Sequence, residues 1–434
     1  MEEIYKLKKA TYHLWTFTIS KLISSFGSQV YSFAISFYIL QMTGSATSFA
    51  TNLICNILPR TLVSPFAGYA ADKYSRKKIV IIAQICTTLA IGGLLLVTLT
   101  SGLSLVAIYI TTCVLSITSC FSGVAFTSSI TGLVNKERIQ RAMSMNQMSM
   151  SFASIGSPAV GGLLYGTVSM PVFLITYMVA STVAVILEST MNFNLFANRK
   201  NNEVDQEKEE SMWQSMKEGI QYLKLQPIIM SMIWIGLLVN FLFGAFEVGY
   251  SFILIEKLKI SSIHFGLTEG AFAVGMLLLS IYLSVRKEFN FPFLVSKRGI
   301  IGLGITMSAI GLPLIVSMSY NFMFVFYVLI MFSFGVLIIF VNTPLQVMMQ
   351  KLIDDDFKGR VFSILETFSM ALMPLGMVIY GFLYDIFSAQ WVLILSSAML
   401  IVIVLYLARP SVIRHVHPEV GERKKIKKEV ESFS

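Results

Sequence analysis

The feature that most constrains this chain is a repeat of itself. Trp15 returns as Trp234, Tyr31-Ser32-Phe33 as Tyr250-Ser251-Phe252, Arg141 and Ser144 as Arg360 and Ser363, and Gly162-Leu163-Leu164-Tyr165 as Gly381-Phe382-Leu383-Tyr384, always 219 residues later. The shared offset, more than the sparse identity, carries the signal. With 55% hydrophobic and 13% charged residues in 434, the chain has too little polar surface for a soluble protein. Apolar runs long enough to cross a bilayer fall at about 14–41, 47–71, 78–99, 102–133, 141–166 and 170–196, and again at about 228–255, 262–285, 299–318, 320–350, 361–386 and 389–408. The expected fold is an all-α membrane protein with twelve transmembrane helices in two pseudo-symmetric six-helix bundles. A repeat of preserved orientation is how several transporters place a substrate site at the interface of two halves.

The net charge of +9 would suggest nucleic acid in a soluble protein, but its distribution points to topology. Lys6, Lys8 and Lys9 precede the first span, Lys73, Arg76, Lys77 and Lys78 follow the second, and Arg286, Lys287, Lys297 and Arg298 follow the eighth. The intervening loops carry only Lys257 and Lys259. Basic short loops stay cytoplasmic, so both termini are expected inside a plasma membrane, with residues 1–196 as the first bundle and 227–409 as the second. Between them, 197–226 reads as a cytoplasmic linker with an amphipathic helix (Trp213, Met216, Ile220, Leu223), and 410–434 as a basic tail near anionic lipid. The first apolar stretch is too long for a cleavable signal. Cys55, Cys86, Cys113 and Cys120 lie inside spans and read as packing residues.

Residues 68–78 read GYAADKYSRKK. This resembles the signature loop of the major facilitator superfamily, commonly GxxxDRxGRR: Gly68, Asp72, Arg76 and Lys77 fit, while Lys73 replaces its first arginine and Ser75 its second glycine. The resemblance implies a conformational latch. Asp72 would meet the start of span eleven, where Gly359 and Arg360 open a helix whose free N–H groups attract an anion worth about 0.3–1 kcal/mol. The alternative for the bases, Lys77 and Lys78 above all, is that they merely set topology. In span five, IGSPAVGGLL is similar to the family's GPxxGG exporter motif, with Ser157 separating Gly156 from Pro158 while Pro158, Gly161 and Gly162 keep their spacing. A pivot and plain tight packing are equal readings of it. NTPLQVMMQ, DDDFKGRVFS and MPLGMVIYGFLYD between Asn342 and Asp385, with SKLISSFGSQVYSFAISFYIL in span one, look like the branch of macrolide and siderophore exporters.

Ionisable residues inside the hydrocarbon cost several kcal/mol if they face lipid, so they mark candidate sites. Lys21, Arg60, Glu188, Glu247, Glu269 and Glu366 are such residues. Thr18, Lys21, Ser25, Ser28, Ser32 and Ser36 form one helical stripe. The repeat maps Lys21, Ser25, Ser28 and Ser32 onto Asn240, Gly244, Glu247 and Ser251, so Glu247 is expected to line the same cavity. Asn52, Asn56 and Arg60 add a second stripe, Ser144, Gln147 and Ser151 a third, and Glu366 is the repeat partner of Gln147. The family habit of proton antiport fits Glu247, Glu269 or Glu366 as carrier; alternatively Lys21 or Arg60 neutralises one of them, or the acids sit at a rim. Asp354, Asp355 and Asp356 read as a helix start, not a metal cluster.

No nucleotide loop and no nucleophile–base arrangement is visible, so neither a cofactor nor catalysis is expected. The combined expectation is a monomeric, proton-coupled exporter of a lipophilic or amphipathic small molecule. The alternatives are an importer of the same fold and a membrane sensor or accessory protein.

Overall fold

The computed structural model describes residues 2–134, 138–193, 195, 221, 223, 226–286, 289–353 and 372–410. Twelve long helices occupy these residues. The first half holds α1 (Glu2–Thr43), α2 (Ala46–Lys73), α3 (Arg76–Ser101), α4 (Leu105–Leu133), α5 (Ile139–Thr167) and α6 (Met170–Thr190). The second holds α7 (Pro227–Phe252, ending in a π turn at Ile253–Lys257), α8 (Ser262–Val285), α9 (Pro292–Ile310), α10 (Tyr320–Leu352), α11 (Leu372–Ile386) and α12 (Ala389–Leu407). Most of the 197–226 linker and all of the tail beyond 410 lie outside the described residues.

Local chemistry sets the helix ends. Gly44, at φ +61°, takes the left-handed conformation that terminates α1, and its N–H bonds the Leu40 carbonyl at 2.9 Å. Ser45 follows as the N-cap of α2, accepting from the Ser48 N–H at 3.2 Å. Proline stands in the first turn of α6, α7 and α9, where its missing N–H costs nothing.

Two compact units result. One comprises α1 to α6 with the segment Leu254–Gly270; the other comprises the body of α7, the rest of α8 and α9 to α12. The duplication is visible in the packing within each half. In the first, α3 lies against α4 and α6, and α1 against α5 and α6. In the second, α9 lies against α10 and α12, and α7 against α12. Two neighbour relations of the first half recur in the second at glycines: α2 against α4 is matched by α8 against α10, where Gly275 abuts the Phe332 carbonyl and Gly335 that of Phe272. Likewise α1 against α5 is matched by α7 against α11, where Gly376 abuts the Phe241 carbonyl and Gly244 abuts Gly376. Small residues allow such backbone contact where no hydrophobic effect drives helices together.

Outward faces are apolar. On α3, Ile82, Ile85, Leu89, Leu96 and Leu99 are exposed, whereas Val80, Ala83, Ile91, Leu94 and Leu95 are buried. Eight described helices are long and apolar enough to cross a membrane; α1, α2 and α5 are not among them, and the described part of α11, Leu372–Ile386, is shorter.

Of the boundaries that differ from the apolar-run reading, two move basic residues into helices. Helix α1 begins well before residue 14 and takes in the basic N-terminal segment. Helix α9 starts at Pro292, not 299, so Lys297 and Arg298 lie within it and not in a loop. Lys297 is tolerated there because its ammonium donates to the Ala408 carbonyl at the end of α12, at 2.7 Å.

Candidate functional site

The first unit holds an open-mouthed cavity of about 370 Å³. Lys21, Ser25, Ser28 and Ser32 of α1 form one wall, as their spacing requires, and Asn56 and Arg60 of α2 another. Helix α4 contributes Thr112, Ser116 and Cys120, and α5 contributes Met150. The predicted α1 stripe is split at its ends: Thr18 returns its hydroxyl to the Leu14 carbonyl at 2.8 Å, and Ser36 accepts from Asn52 at 3.4 Å.

Hydrogen bonds between helices hold the walls. Asn52 is 2% exposed, and its carbonyl oxygen accepts from Thr112 at 3.0 Å, tying α2 to α4. Gln84 donates to Ser181 at 2.8 Å, and the Thr87 and Thr118 hydroxyls meet at 2.8 Å. The backbone of α2 is opened beside the cavity. Pro59 supplies no N–H, and one residue later the Ser116 hydroxyl is inserted into the ladder, donating to the Asn56 carbonyl at 2.5 Å and accepting from the Arg60 N–H at 3.2 Å. Such an insertion is a recognised cause of helix bending, and here it sits next to Arg60.

Neither cationic group is in an ion pair among the described residues. Lys21 is half-buried, with its ammonium 5.9 Å from the centre of the Phe126 ring, and no described residue forms an ion pair with Lys21 or Arg60. Glu188 of α6 is one of the charged residues expected inside the spans, with no role assigned to it by its spacing. It is 1% exposed; the buried Ser20 hydroxyl donates to its Oε1 at 2.7 Å, and its Oε2 has no partner among the described residues. Sequence spacing could not have found this pair, since 168 residues separate its members.

The other expected site residues are distributed as follows. Asn240, the repeat partner of Lys21, lines a separate cavity of about 110 Å³ in the second unit with Ser296, Lys297 and Asn342. Glu247 is half-buried on α7 and has no ionic partner among the described residues, and Glu269 is half-buried on α8. Glu366, Gly359 and Arg360 lie outside the described residues, as do the side chains of Gln147 and Asp72.

The signature segment is mostly helix. Gly68 and Asp72 belong to the last turns of α2, and only Tyr74 and Ser75 separate it from α3. Lys73 turns back to the Tyr69 hydroxyl at 2.9 Å. Arg76 donates through Nε to the Ala71 carbonyl at 3.1 Å and through Nη1 to that of Ser128 at 2.6 Å, and Lys77 reaches the Ser189 carbonyl at 2.7 Å. The Ala71 and Ser189 carbonyls lie in the last turns of α2 and α6, where unpaired carbonyls and the helix dipole favour cations, and Ser128 lies in the C-terminal part of α4. That structural task is beyond what the topology reading gave Lys77.

The span-five glycines are packed on two sides. A Cβ on Gly156 or Gly161 would meet the Phe26 or Phe33 ring of α1 at 3.1 and 2.9 Å, and one on Gly162 would lie 2.3 Å from the Ser262 carbonyl oxygen of α8. Ser157, the residue that departs from the motif, donates to the Phe26 carbonyl at 3.3 Å.

A family model described as Major Facilitator Superfamily matches residues 17–373. The chain belongs to the major facilitator superfamily. Among relatives within this superfamily, macrolide efflux protein A of Streptococcus pyogenes is 24% identical over 403 residues, covering 93% of this chain and 96% of that protein. Enterobactin exporter EntS of Shigella flexneri is 30% identical over 100 residues, covering 23% of this chain and 24% of that one. The fold is shared with the nucleoside transporter NupG (TM-score 0.69, 13% identity, 91% of this chain and 98% of that one). It is shared equally with a bacterial homologue of the iron transporter ferroportin in an inward-facing state (TM-score 0.68, 15% identity, 92% and 98%). This is a multi-pass membrane transporter.

Proposed function

We propose that the protein is a proton-coupled exporter of a lipophilic or amphipathic small molecule, working by alternating access in the plasma membrane as a monomer with both termini cytoplasmic. The observation that carries the reading is the hydrophilic cavity walled by α1, α2 and α4 of a chain otherwise built to face lipid. A hydrophilic space of this size suits a small organic molecule, and Leu115, Met150 and Tyr177 on its lining suit one with an apolar body. Export is favoured by the near full-length likeness to a macrolide efflux protein and the partial likeness to an enterobactin exporter. For coupling, the half-buried Glu247, with no described ionic partner, is the preferred proton carrier. Asp72 with Gly359 and Arg360 is the proposed latch, and the Gly156–Gly162 stretch of α5 the proposed pivot.

Everted membrane vesicles with an imposed proton gradient test this. A fluorescent amphipathic dye should accumulate inside them in a gradient-dependent way, and cells lacking the protein should retain more of it. Glu247→Gln should abolish the gradient-driven part while the protein remains in the membrane. Loss of dye from energised vesicles would reverse the direction, and unchanged gradient dependence in Glu247→Gln would remove that residue from the mechanism.

A further inference from the structure

The charge of the cavity narrows the substrate class. Its lining includes two cationic side chains, Lys21 and Arg60, among serines, threonines and amides, and no carboxylate among the described residues. Cations within a membrane protein are normally paired, because leaving them uncompensated costs several kcal/mol. Here the compensation is incomplete. The Phe126 ring, 5.9 Å from the Lys21 ammonium, offers a partial cation–π contact. Glu188 acts on Lys21 electrostatically but forms no ion pair with it, and is held behind the wall by Ser20. Among the described residues, one buried carboxylate against two cations leaves a positive surplus facing the space a substrate would fill.

Resting on the reading of this cavity as the substrate site, we propose that the transported compound is an amphipathic organic anion, whose acidic group sits between Lys21 and Arg60 and whose apolar body lies over Met150 and Tyr177. Arg60 presents the planar fork that matches a carboxylate, and Lys21 a point charge for its second side. The many hydroxyls of the lining serve either charge sign, so the selection against cations falls to these two residues.

Two xanthene dyes of one ring skeleton and opposite charge, fluorescein and rhodamine 6G, test the proposal in two assays on the full chain. In everted vesicles, fluorescein should be moved in preference to rhodamine 6G. On purified protein in detergent, fluorescence polarisation should show fluorescein binding about tenfold or more tighter. Lys21→Gln or Arg60→Gln should each erase most of that preference, while Lys21→Arg retains it and Arg60→Lys, which keeps the charge and loses the fork, retains its sign with a smaller margin, which separates lost charge from lost folding. Tighter binding of rhodamine 6G, binding of neither dye, or a preference untouched by both glutamine variants would overturn the proposal. If purified protein shows the preference but vesicles move neither dye, the anion site stands and the export reading fails; if vesicles move rhodamine 6G instead, export stands and the anion inference falls.

Discussion

Adding one methyl group at Gly162 probes a tight backbone crossing of the first unit. A Cβ there would lie 2.3 Å from the Ser262 carbonyl oxygen, 3.1 Å from its carbon and 3.4 Å from the Gly266 Cα. Ordinary carbon contacts begin near 3.5 Å, so α5 and the start of α8 must part by about 1 Å, forfeiting attraction along the whole crossing. Both sides are backbone, and no side chain can rotate away. Overpacking of this kind costs about 1–3 kcal/mol, or one to two factors of ten in the folded-to-unfolded ratio. The assay is the fraction of purified Gly162→Ala that stays monodisperse in detergent after heating. Gly68→Ala is the control: nothing lies within 4 Å of a Cβ at Gly68, inside α2, so relief of glycine's backbone entropy should leave that variant equal or more stable by about 0.5–1 kcal/mol. Wild-type heat stability for Gly162→Ala, or a deficit for Gly68→Ala equal to that of Gly162→Ala, would refute the reasoning.

Other predictions concern buried polar groups. Ser20→Ala removes the donor to Glu188 Oε1 and should destabilise by about 1.5–3 kcal/mol; a double-mutant cycle with Glu188→Gln should show coupling above about 0.5 kcal/mol, and additivity would mean the bond carries nothing. Arg76→Lys can satisfy only one of the two carbonyls, those of Ala71 and Ser128, that arginine reaches. It should cost about 1.5 kcal/mol in the same heating assay, and a variant as stable as wild type would show that these contacts do not bind the helix ends.

Much of the architecture was legible because hydrocarbon imposes one rule, that helices must be long and apolar, and because the duplication states it twice. The run read at 262–285 matches α8, and that at 320–350 matches α10 within two residues. Lys297 was misplaced by the same rule, which breaks a span at a charge and cannot anticipate a carbonyl from a helix more than a hundred residues away. The cavity wall was legible at Lys21, Ser25 and Ser28, since a polar stripe on one helix needs no partner to be recognised. Interhelical insertions were not: nothing near Ser116 or Ser20 shows that one enters the backbone ladder of α2 and the other holds Glu188.

The central claim is that the α1–α2–α4 cavity is wet and holds the substrate, and Cys120 on its lining is a native reporter. The measurement is the rate at which a water-soluble maleimide labels Cys120 in a variant with Cys55, Cys86 and Cys113 replaced by serine, with and without a saturating transported dye. The account predicts labelling from water that the dye slows. A Cys120 that never reacts, or reacts at the same rate with the dye present, would contradict it.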